Sequence, residues 1–239
     1  MVTKNQIKLV VSLKQKKYRS QHGLFVVEGE KLVNELLNAG FKTYQIFVDD
    51  TDFLQKFEQA EVVPGKTLKQ MSSLTHPSGI LGVFRMKDSE ALDLDDWVVV
   101  LDAVRDPGNM GTIVRLCDWF GIKRLVCSTD TVDCYNPKVL QATMGSIARV
   151  NVEYTDLITF LDKTDMSIYG AYMDGEPVYG SNLAEKGVLV MGNEANGVSA
   201  EVGKFITKKI SIPQFGATTT ESLNVATATA ILLNEIRRE

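Results

Sequence analysis

The chain has 239 residues, a formal net charge of −4, and 44% hydrophobic and 23% charged residues. That is the make-up of a soluble globular protein with room for one large domain or two small ones. No apolar run is long enough to span a bilayer, the N-terminus lacks the apolar segment of a secretory signal, and Cys117, Cys127 and Cys134 lack metal-ligand spacing; a reduced, cytoplasmic protein without membrane or metal is expected.

The mild net acidity hides a basic start. Lys4, Lys8, Lys14, Lys16, Lys17 and Arg19 fall within residues 1–20 with no acidic residue among them. Local clusters of this kind mark phosphate contacts; the same residues also suit the solvated face of an amphipathic helix with Ile7, Val10 and Val11 turned inward. Residues 1–20 are therefore predicted as a helix. A short buried strand follows at 23–28, a helix over 30–38 closed by Gly40, and a strand over 41–49. A helix over 51–60, a strand over 61–64, a helix over 67–74 and a strand over 80–85 complete a small α/β module.

Residues 87–96, acidic and weakly periodic, read as a linker. Trp97–Leu101 then has the continuous apolar pattern of a buried parallel strand. It is followed by a helix over 112–120, a strand over 124–128, a helix over 137–144 and strands over 148–152 and 167–172 separated by a helix over 156–161. A strand over 187–192, a short helix over 199–205 and a strand over 208–212 lead to a final helix opened by Ser222-Leu223-Asn224. The alternation predicts an α/β domain with a mostly parallel sheet.

Three loops, at 102–111, 192–198 and 213–224, follow strand C-termini, the edge where parallel sheets collect ligands. None holds a dinucleotide or phosphate-loop glycine pattern, and no serine-hydrolase elbow is present. The loops instead carry Asn109-x-Gly111-x-x-x-Arg115, Gly192-x-Glu194-x-x-Gly197 and Ser222-Leu-Asn224. Taken singly, Ser222, Asn224 and Asn109 read equally well as helix caps.

Taken together and in order, these segments resemble the SpoU-type (TrmH-like) RNA ribose 2′-O-methyltransferases of the SPOUT superfamily. The resemblance rests on Asp106-Pro-Gly-Asn-Met-Gly-Thr-Ile-Val-Arg115, Val190-Met-Gly-Asn-Glu-Ala-Asn-Gly197, and Ile212-Pro213 followed by Ser222-Leu-Asn-Val225. It covers about 97–239. The run Ser12–Arg19 and the run Phe25–Val33 resemble the family's N-terminal substrate-binding domain, of ribosomal-protein-like α/β fold. Expected domains are thus 1–86 for RNA and 97–239 for chemistry.

The resemblance implies a C-terminal trefoil knot, which periodicity could not predict since knots are nearly absent from proteins. It also implies S-adenosylmethionine as cofactor, structured RNA (ribosomal or transfer) as substrate, and a homodimer. Met191, Gly192, Gly197, Ile212 and Leu223 are expected to hold the cofactor, and Asn109, Arg115, Glu194, Ser222 and Asn224 to form the catalytic centre. A guanidinium does not deprotonate readily, so Arg115 is expected to orient a phosphate or stabilise developing charge. Lys17, Arg19 and Lys31, with Arg149, are the expected RNA contacts; Glu28 is read as either structural or functional. The Thr218-Thr219-Thr220 run in the 214–221 loop departs from the family pattern. The alternative is an RNA-binding protein that keeps the fold without the activity.

Overall fold

A computed structural model describes residues 2–87, 95–216 and 222–238. The Thr218–Thr220 departure and most of the expected linker lie outside the described residues. The chain divides into two compact units, Met1–Asp88 with Asp133–Ala148, and Ser89–Val132 with Arg149–Glu239.

In the first unit the basic N-terminus forms two helices rather than one, α1 (Lys4–Ser12) and α2 (Lys16–His22). Thr3 caps α1 through a capping box with Gln6. The break has a cause: the Arg19 Nη1 donates to the carbonyl oxygens of Leu13, at 2.9 Å, and Lys14, at 3.0 Å. These carbonyls lie where α1 ends, and a helix end leaves such groups without intrahelical partners. The chain continues through β1 (Leu24–Glu28), α3 (Glu30–Asn38) and β2 (Thr43–Val48). The helix expected over 51–60 is only a 3-10 segment, Thr51–Gln55, capped by Asp50, whose side chain accepts from the Asp52 amide. β3 (Glu61–Val62), α4 (Gly65–Met71) and β4 (Ile80–Arg85) follow. The sheet order is β1-β4-β2-β3, with β4 antiparallel to both neighbours and β2 parallel to β3. Val10, Leu13, Phe47, Leu68 and Leu81 share its core on one side.

The second unit begins with β5 (Val98–Leu101), α5 (Pro107–Trp119) and β6 (Arg124–Cys127). α5 starts earlier than the expected residue 112, because Asp106 caps it by accepting from the Asn109 amide at 2.8 Å and Pro107 is preset for a first helical turn. The stretch carrying α6 (Pro137–Thr143) belongs to the first unit. There Tyr135 packs 4.4 Å from Phe25, centroid to centroid, and Asp133 pairs with Arg19.

Back in the second unit, a strand expected at 148–152 falls later, as β7 (Asn151–Tyr154). α7 (Leu157–Asp162), β8 (Ile168–Pro177), β9 (Val188–Met191), α8 (Ala200–Gly203), β10 (Lys208–Ser211) and α9 (Val225–Ile236) complete it. Six strands form one parallel sheet in the order β10-β8-β9-β5-β6-β7. The central strands β5 and β9 are buried along their whole length, as expected for a sheet covered on both faces. β8 outruns its predicted end because its far half pairs with β10 across a bulge. A Cβ on Gly175 would lie 2.7 Å from the Ile210 carbonyl carbon, so this pairing needs glycine there. α5 packs against α9.

Candidate active site

Strand order places the site. β5 leads outward to β6 and β7, whereas β9 leads to β10 on the other side. The loops after β5 and β9 therefore leave adjacent strands at a point where the winding reverses, the crevice where open α/β sheets bind ligands.

The loop after β9 closes on itself. Asn193 and Gly197 exchange backbone hydrogen bonds, each 2.9 Å long. A Cβ on Gly192 would lie 2.1 Å from the Gly197 carbonyl carbon, so no larger residue fits. The Asn193 Oδ1 accepts from the amides of Ala195 at 3.0 Å and Asn196 at 3.2 Å. Its Nδ2 donates to the Ala103 carbonyl at 2.6 Å, which ties this loop to the one after β5. A second tie runs from the Ser199 amide to Asp102, 2.7 Å away.

Glu194 is the hub. Its carboxylate accepts from the backbone amides of Arg105 at 3.2 Å and Asp106 at 3.1 Å, and from the Asn109 Nδ2 at 3.1 Å. The Asn193 Nδ2 adds a longer contact at 3.3 Å. Burial by itself would raise the Glu194 pKa, but the Asn109 bond and the backbone amides outweigh it and hold the carboxyl below its ordinary value. A carboxylate held in this way is a poor proton acceptor and a good fastener.

The third segment joins through Asn224. Its Nδ2 donates to the Asn109 Oδ1 at 2.8 Å, while its own Oδ1 caps α9 by accepting from the amides of Ala226 at 2.9 Å and Thr227 at 3.2 Å. Both ends of both amides are thereby assigned: Asn109 must present oxygen to Asn224 and nitrogen to Glu194. The relay runs from the N-terminus of α9 through Asn224 and Asn109 to Glu194, so residues distant in sequence meet at one sheet edge. Capping and site-building are one arrangement here, not alternatives. Ser222 takes no part in the cap and makes no hydrogen bond among the described residues.

Arg115 stands apart from this relay. Helical rise places it about 9 Å beyond Asn109 along α5. It is exposed, with no hydrogen bond or ion pair among the described residues. Of the expected cofactor contacts, Met191 is buried at the end of β9, Ile212 is half-buried, and Leu223 is 46% exposed. Cys117 offers no nucleophile: burial pushes its thiol up to about 12. Among the described residues no group of His, Cys, Asp and Glu side chains is arranged to hold a metal ion.

The expected RNA contacts separate. Lys17 and Lys31 are exposed. Arg149 is engaged by Asp118 at 2.8 Å. The assignment of Arg19 is corrected: its side chain is 2% exposed, bonded to Leu13, Lys14 and Asp133, and has no surface to offer a phosphate. Glu28 is buried and accepts from the Ser72 hydroxyl and, at 2.7 Å, the Ser73 amide. Asn193 and Asp102 were missed as fasteners; nothing local to either residue distinguishes it before the loops are brought together.

Residues 96–234 match the SpoU rRNA Methylase family, and residues 4–82 match the MRM3-like substrate binding domain. The chain belongs to the SpoU rRNA methylase family. It is 32% identical to the 23S rRNA (guanosine(2553)-2′-O)-methyltransferase RlmP of Bacillus subtilis, over 98% of this chain and 97% of that protein. A TrmH-family structure from Porphyromonas gingivalis superposes with a TM-score of 0.91 at 37% identity, covering 100% of this chain and 99% of the other. An AdoMet-bound rRNA methyltransferase from Sinorhizobium meliloti does so with a TM-score of 0.86 at 28% identity, covering 100% and 96%. The clasped loops lie within the matched residues 96–234 and hold the three segments that carry the resemblance.

Proposed function

We propose that this protein transfers a methyl group from S-adenosylmethionine to a ribose 2′-hydroxyl of ribosomal RNA. The observation that carries the reading is the Glu194–Asn109–Asn224 relay, which fastens all three signature segments at the reversal point of a parallel sheet.

The residues present fit the cofactor. Leu223 offers exposed apolar surface, Ile212 is half-buried, and the glycine-closed 192–197 loop brings main chain to the sheet edge. Met191, Gly192, Gly197, Ile212 and Leu223 would hold it; when bound, it supplies an electrophilic methyl on a sulfonium. In the overall reaction an oxygen–carbon bond forms, a sulfur–carbon bond breaks to leave the neutral thioether, and the hydroxyl proton passes to water. Arg115, permanently charged and without an ion-pair partner among the described residues, orients the RNA phosphate and stabilises charge developing on the oxygen. Asn109, Glu194 and Asn224 keep the loops in register, so that positioning does much of the work. Ser222 supplies an exposed hydroxyl with no partner among the described residues.

A cytoplasmic site of action is proposed; no described helix is long and apolar enough to cross a membrane. The C-terminal segment is proposed to thread into a trefoil knot, with residues 1–86 serving RNA binding and 97–239 chemistry. A homodimer is proposed through α5, where Gly108, Thr112, Arg115 and Trp119 form an exposed stripe, Trp119 being 82% exposed. The reading is tested by calorimetric titration with S-adenosylmethionine, with NADH as control. Binding of the first alone is expected; binding of neither favours an RNA-binding protein without activity.

A further inference from the structure

The first unit contains a cavity of about 330 Å³ that no step of the methyl transfer uses. That volume lies at the small end of ligand pockets. One wall is the end of β1 and the start of α3, through Val26 and Leu32; another is Leu74; the opposite wall is α6, through Leu140 and Ala142. The helix that closes the pocket thus comes from the stretch the chain inserts between β6 and β7.

Two charged residues line it. The Glu28 carboxylate is buried, with one hydrogen bond accepted on each oxygen, from Ser72 and Ser73. Each carboxylate oxygen retains further accepting capacity. Lys138 is exposed and also lines the cavity, and Lys31, exposed as well, adjoins the lining residue Leu32. A carboxylate in an apolar pocket rejects an anion and favours a neutral group that donates N–H bonds. Lysines beside it favour a phosphate outside. A flat apolar ring with N–H donors on its edge, carried on a phosphate chain, satisfies both demands.

We propose that this cavity receives one unpaired nucleobase of the RNA substrate, its N–H edge on Glu28, its faces between the aliphatic walls, and its phosphates near Lys138 and Lys31. Unpaired bases are what proteins can enclose and read at their edges, whereas bases in a duplex are withheld. The inference rests on the proposed RNA substrate but adds where the RNA is held and in what state.

The test is fluorescence anisotropy of the full chain with end-labelled, non-self-complementary single-stranded RNA and with the same strand annealed to its complement. The wild type is expected to prefer the single strand by about tenfold, the scale of one enclosed base. Ala142→Trp, which fills the pocket from a half-buried wall, and Glu28→Gln are each expected to erase that preference while duplex binding persists. Leu74→Trp serves as a second filling variant if Ala142→Trp does not fold. Equal binding of both RNAs by the wild type, or a preference that survives a folded filling variant, would overturn the proposal. S-adenosylmethionine titration of the same samples keeps the two readings separate: cofactor binding with no strand preference removes only the base pocket, and loss of cofactor binding removes the methyltransferase reading itself.

Discussion

Arg19 and Arg115 stand in the two units of one chain, and their surroundings differ in every respect. Arg19 is buried at the end of α1, bonded to two carbonyls and to Asp133 at 13% exposure. Arg115 lies on the exposed face of α5 with no ion pair among the described residues. The first guanidinium is consumed by architecture: it ends one helix and holds the inserted 133–148 segment. The second stands outside the relay, in which Glu194 is engaged by backbone amides and Asn109. An arginine near a basic run is therefore weak evidence of RNA contact until its hydrogen bonds are counted.

This contrast predicts opposite failures. Arg19→Ala strands Asp133 and two helix-end carbonyls, and is expected to destabilise the fold by about 3 kcal/mol or more, read from denaturant unfolding. RNA affinity of whatever remains folded should be unchanged. Arg115→Ala should leave the unfolding midpoint in place and lower methyl transfer by about 10²–10³-fold; a variant of full activity would remove the catalytic assignment.

Asn224→Ala sits between the two. It removes a cap and the bond to Asn109, so a stability loss of about 1 kcal/mol should accompany loss of methylation. An active variant would show that the relay does not position the site.

Acid titration sharpens the view of Glu194. Its folded pKa is lowered, so its stabilisation is present above the unfolded value and is lost as pH falls through the folded value. Thermal melts from neutral pH to about pH 3 should show the wild type losing more stability than Glu194→Gln on the acid side. Parallel curves would mean that the carboxylate fastens nothing. The smallest effect expected is for Lys17→Ala, which should reduce the salt slope of RNA binding by about 1 with no change in melting.

Much of this was legible in the residues. Trp97–Leu101 read as a buried parallel strand because both faces are apolar, 187–192 read as a further strand, and the fold class follows from the alternation of strands with helices. The family segments marked Asn109, Glu194 and Asn224 before their contact was visible. Other features depend on partners distant in sequence. The α1–α2 break needs the Arg19 guanidinium, the length of β8 needs β10, and the placement of 133–148 needs Arg19 and Phe25. The start of α5 was written locally in Asp106-Pro107, an N-cap followed by a first-turn proline, and the pattern of apolar residues further on obscured it.

The central claim is transfer to a ribose oxygen, organised by the Glu194–Asn109–Asn224 relay. The direct measurement is to incubate the protein with ribosomal RNA and methyl-labelled S-adenosylmethionine, digest the RNA to nucleosides, and locate the label by mass spectrometry. Label on a ribose 2′-oxygen with the wild type, formed at least about a hundredfold more slowly with Arg115→Ala and lost with Asn224→Ala, is the predicted result. Label on a base, or equal labelling by all three proteins, would contradict it.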